Sequence, residues 1–399
     1  MSVLQGKHIL LGVTGGIAAY KAAFLVRLFI KSGAKVKVIM TPYAEEFVTP
    51  LTLSTLSKNP VHSTFSDKEK NWNNHVELGE WADVMLIAPA TANTLSKMVT
   101  GKSDNLLLTT YLSARCPVFI APAMDLDMFK HVSSQENLKK LLINGHFIIE
   151  PASGELASGL EGKGRMEDPE NIVSVIEDYF IKKLPLRDKT ILITAGPTYE
   201  SIDPVRFIGN HSSGKMGFEL ARRAAQLGAE VTLIAGPTHL DIKDTRVELH
   251  RVQSAEEMYN KATECFGNVD IAIASAAVSD YRPKKVSDQK IKKKDNTITI
   301  DLIKTKDILA ELGKLKKHQI LVGFALETNN EEANARDKLE RKNLDLVVLN
   351  SLNDIGAGFK GDTNKVSLIT KNEIHRYDLK QKYEVAEDIF QFLIEKYYS

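Results

Sequence analysis

Twice along this chain a continuous apolar run ends in a glycine turn and passes into an amphipathic helix, first at His8-Ile-Leu-Leu-Gly-Val-Thr-Gly-Gly and again from Thr190-Ile-Leu-Ile-Thr-Ala-Gly-Pro. A strand without polar alternation is buried on both faces, so each opening commits its half of the chain to a parallel sheet covered by helices on either side. In the first half the pattern predicts strands at Ile9 to Val13, Lys35 to Met40, Asp83 to Ala88, Val118 to Ala121 and His146 to Ile149, with a helix from Ala18 to Ser32 closed by Gly33. In the second half it predicts a helix at Met216 to Leu227 and strands at Glu230 to Ala235, Asp270 to Ala274 and Leu321 to Leu326. Thr297-Ile-Thr-Ile-Asp-Leu-Ile alternates with period two, which predicts a more exposed, antiparallel strand beside the main sheet. Between the halves, after a helix at Ile172 to Lys182, lies the short charged connection Lys183-Leu-Pro-Leu-Arg-Asp-Lys. The expected organisation is therefore α/β, two Rossmann-like domains, at 1–184 and 185–399.

Composition narrows the function. The chain has 399 residues, 43% of them hydrophobic, enough for two separate cores. Fifty-two basic residues against fifty-one acidic give a net charge of +1, so no global field attracts nucleic acid or an anionic membrane, and any anion site is local. The two cysteines, Cys116 and Cys265, have neither CxxC spacing nor a histidine cluster, which argues against a disulfide framework or structural zinc and fits a reducing cytoplasm. No stretch approaches the roughly 20 apolar residues of a membrane helix, and the expectation is a soluble protein.

In open α/β sheets ligands bind beyond the C-terminal strand ends. In the first half those ends carry Thr14-Gly15-Gly16-Ile17, Thr41-Pro42, Ala88-Pro-Ala-Thr-Ala-Asn93 and Ala121-Pro-Ala-Met-Asp125. Gly15 and Gly16 permit close backbone approach, and the helix after them offers N–H groups to an anion; a steric reason for the glycines is equally good. Thr91 and Asn93 suit either a ligand or a helix cap. His75, after two asparagines, is a structural residue or a proton-transfer group.

Together these segments resemble the flavin-dependent cysteine decarboxylase family, in which a Thr-Gly-Gly-Ile turn, a histidine, an Ala-Pro-Ala-Thr-Ala-Asn strand end and a Pro-x-Met-Asn-x-x-Met segment follow in order. The resemblance implies a flavodoxin-like domain binding FMN around Gly15, Gly16, Ile17, Thr41, Thr91 and Asn93, with His75 as catalytic base or thiol-activating group. The flavin supplies the electron sink that a cysteine carboxylate lacks, in a reaction that is redox-neutral overall. Two positions depart from the pattern. Asp125 replaces the usual asparagine, and an ionised carboxylate only accepts hydrogen bonds where an amide also donates. Ser158, in the clamp-like Gly154 to Met166, stands where many members carry a cysteine proton donor.

The second half holds a segment that looks like a P-loop and breaks its rule. Gly209 to Lys215 reads G-x-x-x-x-G-K, but Met216 stands where Ser or Thr would hold magnesium. Ser212 and Ser213 suit a helix cap. The polar lead from Thr198 to Asn210 is a long loop for a buried-sheet protein and suggests a use. Lys284 to Lys294 reads as a solvated basic loop, and Lys338 and Lys342 share one helical face. Thr194-Ala-Gly-Pro-Thr, Asp203-Pro-Val-Arg-Phe-Ile, Asn210 to Gly217, Ala276-Ala-Val-Ser-Asp-Tyr-Arg-Pro, Lys290-Ile-Lys-Lys and Gly323-Phe-Ala-Leu-Glu-Thr-Asn together resemble the phosphopantothenate-cysteine ligase family. The two halves in this order are similar to the bifunctional coenzyme A biosynthesis family.

That resemblance implies that CTP activates the carboxylate of 4′-phosphopantothenate as an acyl-cytidylate and L-cysteine attacks it, with Asn210 stabilising the acyl intermediate. It implies CTP contacts at Ala274, Asp280, Lys290, Lys306, Asp307, Ile308, Leu309, Phe324, Lys338 and Lys342. It also implies Mg2+ on the phosphates with no ligands assigned, and a homo-oligomer of trimeric flavodomains and dimeric ligase domains. The rival to a two-step enzyme is a ligase fused to an inactive or regulatory flavodomain.

Overall fold

The computed structural model describes residues 2–66, 72–292, 298–327, 329–351 and 361–398. Lys293, Lys294, Thr297 and Thr328 of the motifs above lie outside the described residues. The chain divides into two compact units, Met1–Lys182 and Lys183–Ser399.

The first unit is built on β1 (His8–Val13), β2 (Lys35–Met40), β3 (Val61–His62), β4 (Val84–Ala90), β5 (Val118–Pro122) and β6 (Phe147–Ile148). All pair in parallel, in the order β3-β2-β1-β4-β5-β6. That is the doubly wound Rossmann order; without the two-residue edge strand β3 the other five follow the flavodoxin order. Both faces are dry. Ile9, Leu11 and Val13 pack with the helix Lys21–Lys31 on one side, while Leu10 and Ile39 pack with Leu95, Leu107 and Tyr111 on the other. A glycine-rich antiparallel hairpin, β7 (Ala152–Glu155) with β8 (Glu161–Arg165), then folds out before the helix Pro169–Lys182.

The second unit repeats the plan with β9 (Thr190–Ala195), then a small ribbon of β10 (Tyr199–Ser201) and β11 (Phe207–Gly209), then β12 (Glu230–Ala235), β13 (Val247–Arg251) and β14 (Ile271–Ala274). A second ribbon pairs β15 (Tyr281–Pro283) with β16 (Leu302–Lys304), and the sheet continues with β17 (Ile320–Glu327) and β18 (Leu346–Ser351). β19 (Thr363–Asn364), β20 (Val366–Ile369), β21 (Ile374–Arg376) and β22 (Lys380–Gln381) precede the final helix Lys382–Tyr397. The main sheet runs β13-β12-β9-β14-β17-β18-β20-β21, parallel up to β18 and antiparallel after it.

Two expectations change. The lead from Thr198 to Asn210 is largely the β10–β11 ribbon, pinned by Tyr199 stacked on Phe207 at 3.8 Å. Among the described residues of the alternating stretch, only its end from Leu302 is strand, because its partner β15 is three residues long and the ladder stops with it. It forms a separate ribbon rather than an edge of the main sheet.

Candidate functional sites

In the first unit β1 and β4 lie side by side at the point where strand order reverses, and beyond their C-terminal ends opens a cleft of about 1020 Å³. That lies at the upper end of the range for ligand pockets. Gly15, Gly16, Ile17, Thr41, Thr91, Asn93, Asp125 and Ser158 all line it. Gly15 is required by contact, since a Cβ there would lie 2.5 Å from the Tyr43 ring and 2.9 Å from the Tyr43 carbonyl carbon. Thr91 caps the helix Ala92–Val99 by accepting from the Thr94 amide, and its own amide donates to Thr14 Oγ1 at 3.1 Å. The start of that helix therefore forms one wall, with the amides of Ala92 and Asn93 in the first turn, where an anion is favoured.

The β7–β8 hairpin closes the opposite side. The Met124 amide donates to the Gly164 carbonyl at 3.0 Å, and a Cβ on Gly164 would fall 2.5 Å from the Met124 oxygen. Ser158, on the hairpin's loop, donates to Asp125 Oδ1 at 2.9 Å, and the same oxygen accepts from the Leu126 amide at 2.7 Å. At the hairpin's base Lys21 is buried, donating to the Met166 carbonyl and to Asp168, both at 2.8 Å. Lys21 and then Arg165 hold the Asp168 carboxyl below the usual carboxylate range. Sequence reasoning passed over Lys21; its signal was a lysine on the same helical face as Ala22, Leu25, Val26 and Phe29.

His75 is not brought to this cleft. It begins the helix His75–Trp81, capped by Asn74, and its Nδ1 is buried with no partner among the described residues.

In the second unit several of the residues expected to meet CTP gather around the C-terminal ends of β14 and β17. Ala274 ends β14, beside Gly323 of β17 on one side and Thr194 of β9 on the other. Lys338 reaches the Phe324 carbonyl at 2.7 Å, and Lys342 pairs with Asp307 at 2.8 Å. Burial, and then the nearby Lys342, push the Lys338 ammonium below the ordinary lysine range, against the opposing charges of Glu327, Asp307 and Asp280. Burial raises the Asp307 carboxyl, but Lys342, the Ala310 amide and Lys338 outweigh it and hold it below its usual value. Ile308 and Leu309 are buried, with Leu309 against Gly323, so this turn offers backbone rather than side chains. Lys306 stands 4.6 Å over the Tyr259 ring, with Glu256 at 3.7 Å.

The remaining motifs join through the ribbon. Buried Asp203 accepts from the amides of Val205, Arg206 and Ile291 and from Arg206 Nε, at 2.8–3.1 Å. The Arg206 guanidinium, working against burial and helped by those amides, holds the Asp203 carboxyl far below the usual range. Arg206 also donates to the Ile291 carbonyl at 2.8 Å, so exposed Lys290 is carried by a loop tied to the ribbon. Asn210, just past the ribbon, donates to the carbonyls of Ala277 and Val278 at 3.3 and 3.0 Å. Ser212 and Ser213 accept from the amides of Gly214 and Lys215, but the helix cap itself is Gly214, at φ 81°. Lys215 is spent on Asp362.

Among the described residues no group of three or more His, Cys, Asp or Glu side chains is placed to hold a metal ion, and no helix is long and apolar enough to cross a membrane. Both cysteines are free.

Comparison with known proteins agrees with this division. Residues 2–180 match the Flavoprotein family, and residues 186–397 match the family described as DNA/pantothenate metabolism flavoprotein C-terminal domain. The class is thus a flavoprotein joined to a pantothenate-metabolism domain. The Coenzyme A biosynthesis bifunctional protein CoaBC of Bacillus subtilis (strain 168) is 47% identical over 98% of this chain and 97% of its own. That of Haemophilus influenzae is 46% identical over 99% of this chain and 98% of its own. A protein named Cysteine/Cysteine sulfinic acid decarboxylase, from an unknown prokaryotic organism, is 56% identical over 87% of this chain and 99% of its own. The chain belongs to the family of coenzyme A biosynthesis bifunctional proteins.

Proposed function

We propose that this chain carries out two consecutive steps of coenzyme A biosynthesis: the second unit joins 4′-phosphopantothenate to L-cysteine with CTP, and the first unit decarboxylates the product to 4′-phosphopantetheine with FMN. The observation that carries the reading is that one chain, matched over nearly its whole length by bifunctional relatives, holds both the flavin-pattern cleft and the lysine-lined strand ends.

In the second unit Lys338, Lys342 and Lys290 neutralise the triphosphate, and the backbone at Ala274 and Phe324 meets the base. The phosphopantothenate carboxylate attacks the α-phosphorus, giving an acyl-cytidylate and pyrophosphate; the cysteine amine then attacks the acyl carbon and CMP leaves. Asn210, held beside Ala277 and Val278, turns its amide to the acyl oxygen. Among the described residues no group of three or more side chains is placed to hold a metal ion, so Mg2+ would be held chiefly by the triphosphate itself.

The first cleft fits FMN: its floor is the glycine turn under Tyr43, and the helix start at Thr91 to Asn93 suits the phosphate. When bound, the flavin supplies a reversible two-electron acceptor next to the substrate thiol. The chain's own part is to hold the cofactor at Gly15, Gly16, Ile17 and Thr41 and to close the hairpin over the substrate. His75 completes the site from a second copy. Its absence from its own cleft supports this, as do Ile17, Tyr20 and Tyr43, which line the cleft yet are 63%, 52% and 59% exposed and so offer an apolar face to cover.

The test is product analysis on the purified full-length protein. With 4′-phosphopantothenate, L-cysteine, CTP and Mg2+ it releases pyrophosphate and forms 4′-phosphopantetheine. Chelation with EDTA stops pyrophosphate release and leaves decarboxylation of added 4′-phosphopantothenoylcysteine intact. No pyrophosphate with either CTP or ATP removes the ligase step.

A further inference from the structure

The loop 275–280, between β14 and β15, is stitched to its neighbours on two sides. On the β9 side Ser275 Oγ donates to the Thr194 carbonyl at 2.7 Å, the Ala277 amide to the Gly196 carbonyl at 2.9 Å, and the Ser279 amide to Thr198 Oγ1 at 3.0 Å. On the other side Thr305 reaches it: Thr305 Oγ1 donates to the Ser279 carbonyl at 2.6 Å, and the Thr305 amide donates to the Asp280 carbonyl at 2.9 Å. Thr198 and Ser279 are both buried, so a lost bond there is not replaced by water.

The loop joins two groups with different tasks. Its Val278 and Ala277 carbonyls take the Asn210 side-chain amide at 3.0 and 3.3 Å. They occupy both of its N–H groups, so Asn210 turns to an acyl oxygen only by leaving one of them, and the longer bond, to Ala277, is the weaker. On the far side Thr305 is followed directly by Lys306 and Asp307. Asp307 caps the helix Ile308–Leu315 through the Ala310 amide at 3.0 Å and pairs with Lys342 at 2.8 Å. The expected nucleotide contacts and the loop that holds Asn210 thus meet at one carbonyl, that of Ser279.

We infer that Thr305 is a positioning residue for acyl transfer: its hydroxyl ties the 275–280 loop to the nucleotide-side segment, so that CTP seated against residues 306–309 sets where Asn210 points. The inference rests on reading the second unit as the CTP-dependent ligase. The β9 side of the loop is anchored to a central strand of the sheet, whereas Thr305 stands between the ribbon strand β16 and a helix start, on the side a bound triphosphate meets. Thr305 touches neither substrate in this role; it acts through the Ser279 carbonyl and the loop. None of its own bonds breaks, and the cysteine amine still displaces CMP at the acyl carbon.

The experiment uses the full-length protein with CTP, 4′-phosphopantothenate, L-cysteine and Mg2+, and follows pyrophosphate and CMP separately. Thr305→Val keeps the shape and the branch at Cβ and removes only the hydroxyl. It binds CTP as wild type does by calorimetry, releases pyrophosphate in the first turnover within about twofold of the wild-type rate, and releases CMP about tenfold more slowly. Thr305→Ser, which returns the hydroxyl, restores CMP release. Because Thr305 acts through Asn210, Thr305→Val adds less than about twofold to the CMP defect of Asn210→Ala. Equal loss of pyrophosphate and CMP release, or loss of neither, overturns the role of Thr305 and leaves the ligase reading standing. So does a CMP defect that persists in full in the Asn210→Ala background, or one that Thr305→Ser fails to restore. A wild type that releases no pyrophosphate with CTP or ATP overturns the ligase reading and this inference with it.

Discussion

Lys338 shows what a residue's surroundings add to its identity. As a lysine on a polar helix it is unremarkable; half-buried against the Phe324 carbonyl and beside Lys342, its ammonium loses its proton more readily than a free lysine. The sign follows from the protonated form being disfavoured in the fold. Below its lowered pKa the buried charge costs stability, and that cost is removed as pH rises towards the ordinary value of 10.5. A bound triphosphate needs the charged form, so CTP affinity falls over the same interval. The expected outcome is a KM for CTP that rises with pH before the ordinary lysine range is reached. In Lys338→Arg, whose guanidinium keeps its proton, that alkaline rise disappears. Steady-state kinetics across the alkaline range checks both. Lys338 and Lys342 were legible as neighbours because four residues separate them. The proximity of Asp307 and Asp280 was not, since each comes from a different strand-end segment.

At the scale of elements, two glycines decide whether a hairpin and a helix reach their seats. Gly164 lets the β7–β8 hairpin lie on the Met124 carbonyl, and its φ of 155° is one that side-chain-bearing residues rarely adopt. Gly164→Ala is expected to lower decarboxylation roughly tenfold to a hundredfold, by misplacing the clamp, while pyrophosphate release from CTP is unchanged. Gly217→Ala is the counterpart in the second unit. A Cβ there would lie 2.5 Å from Ala195 and 2.8 Å from Ser275, so the helix Lys215–Gln226 must move off β9. That overpacking costs about 1–3 kcal/mol, read as a lower denaturation midpoint, and it removes ligase turnover before decarboxylation. The strands that carry these sites were legible because unbroken apolar runs have one low-energy solution in a doubly wound sheet. Glu230–Ala235 falls where its pattern places it, and β17 differs by a residue at each end. The ribbons were not legible. Three-residue strands such as Tyr199–Ser201 hold by a long-range partner and by Tyr199 on Phe207, and neither leaves a periodicity.

For the whole molecule the proposed role of His75 needs a second copy, because His75 does not line the cleft of its own chain. If a second copy delivers it, mixing two inactive variants restores activity. His75→Asn keeps an intact cleft, and Gly15→Ala, whose Cβ would strike Tyr43, keeps an intact histidine. Subunits exchanged between them are expected to recover about a quarter to a half of wild-type decarboxylation, scaled by the fraction of mixed contacts formed. Failure to recover any, with exchange shown by mass, places His75 in its own chain's site. Sequence alone determined the parallel strands of both sheets, the order of the units and the glycine turns at their strand ends, because apolar periodicity and turn chemistry are local properties. Tertiary structure decided which of those segments share a site. It brought Ser158 onto Asp125 and the Lys290 loop onto Asp203, and it left His75 outside. Contacts between residues dozens of positions apart depend on how helices and hairpins pack over the sheet, and no spacing in the chain encodes that distance.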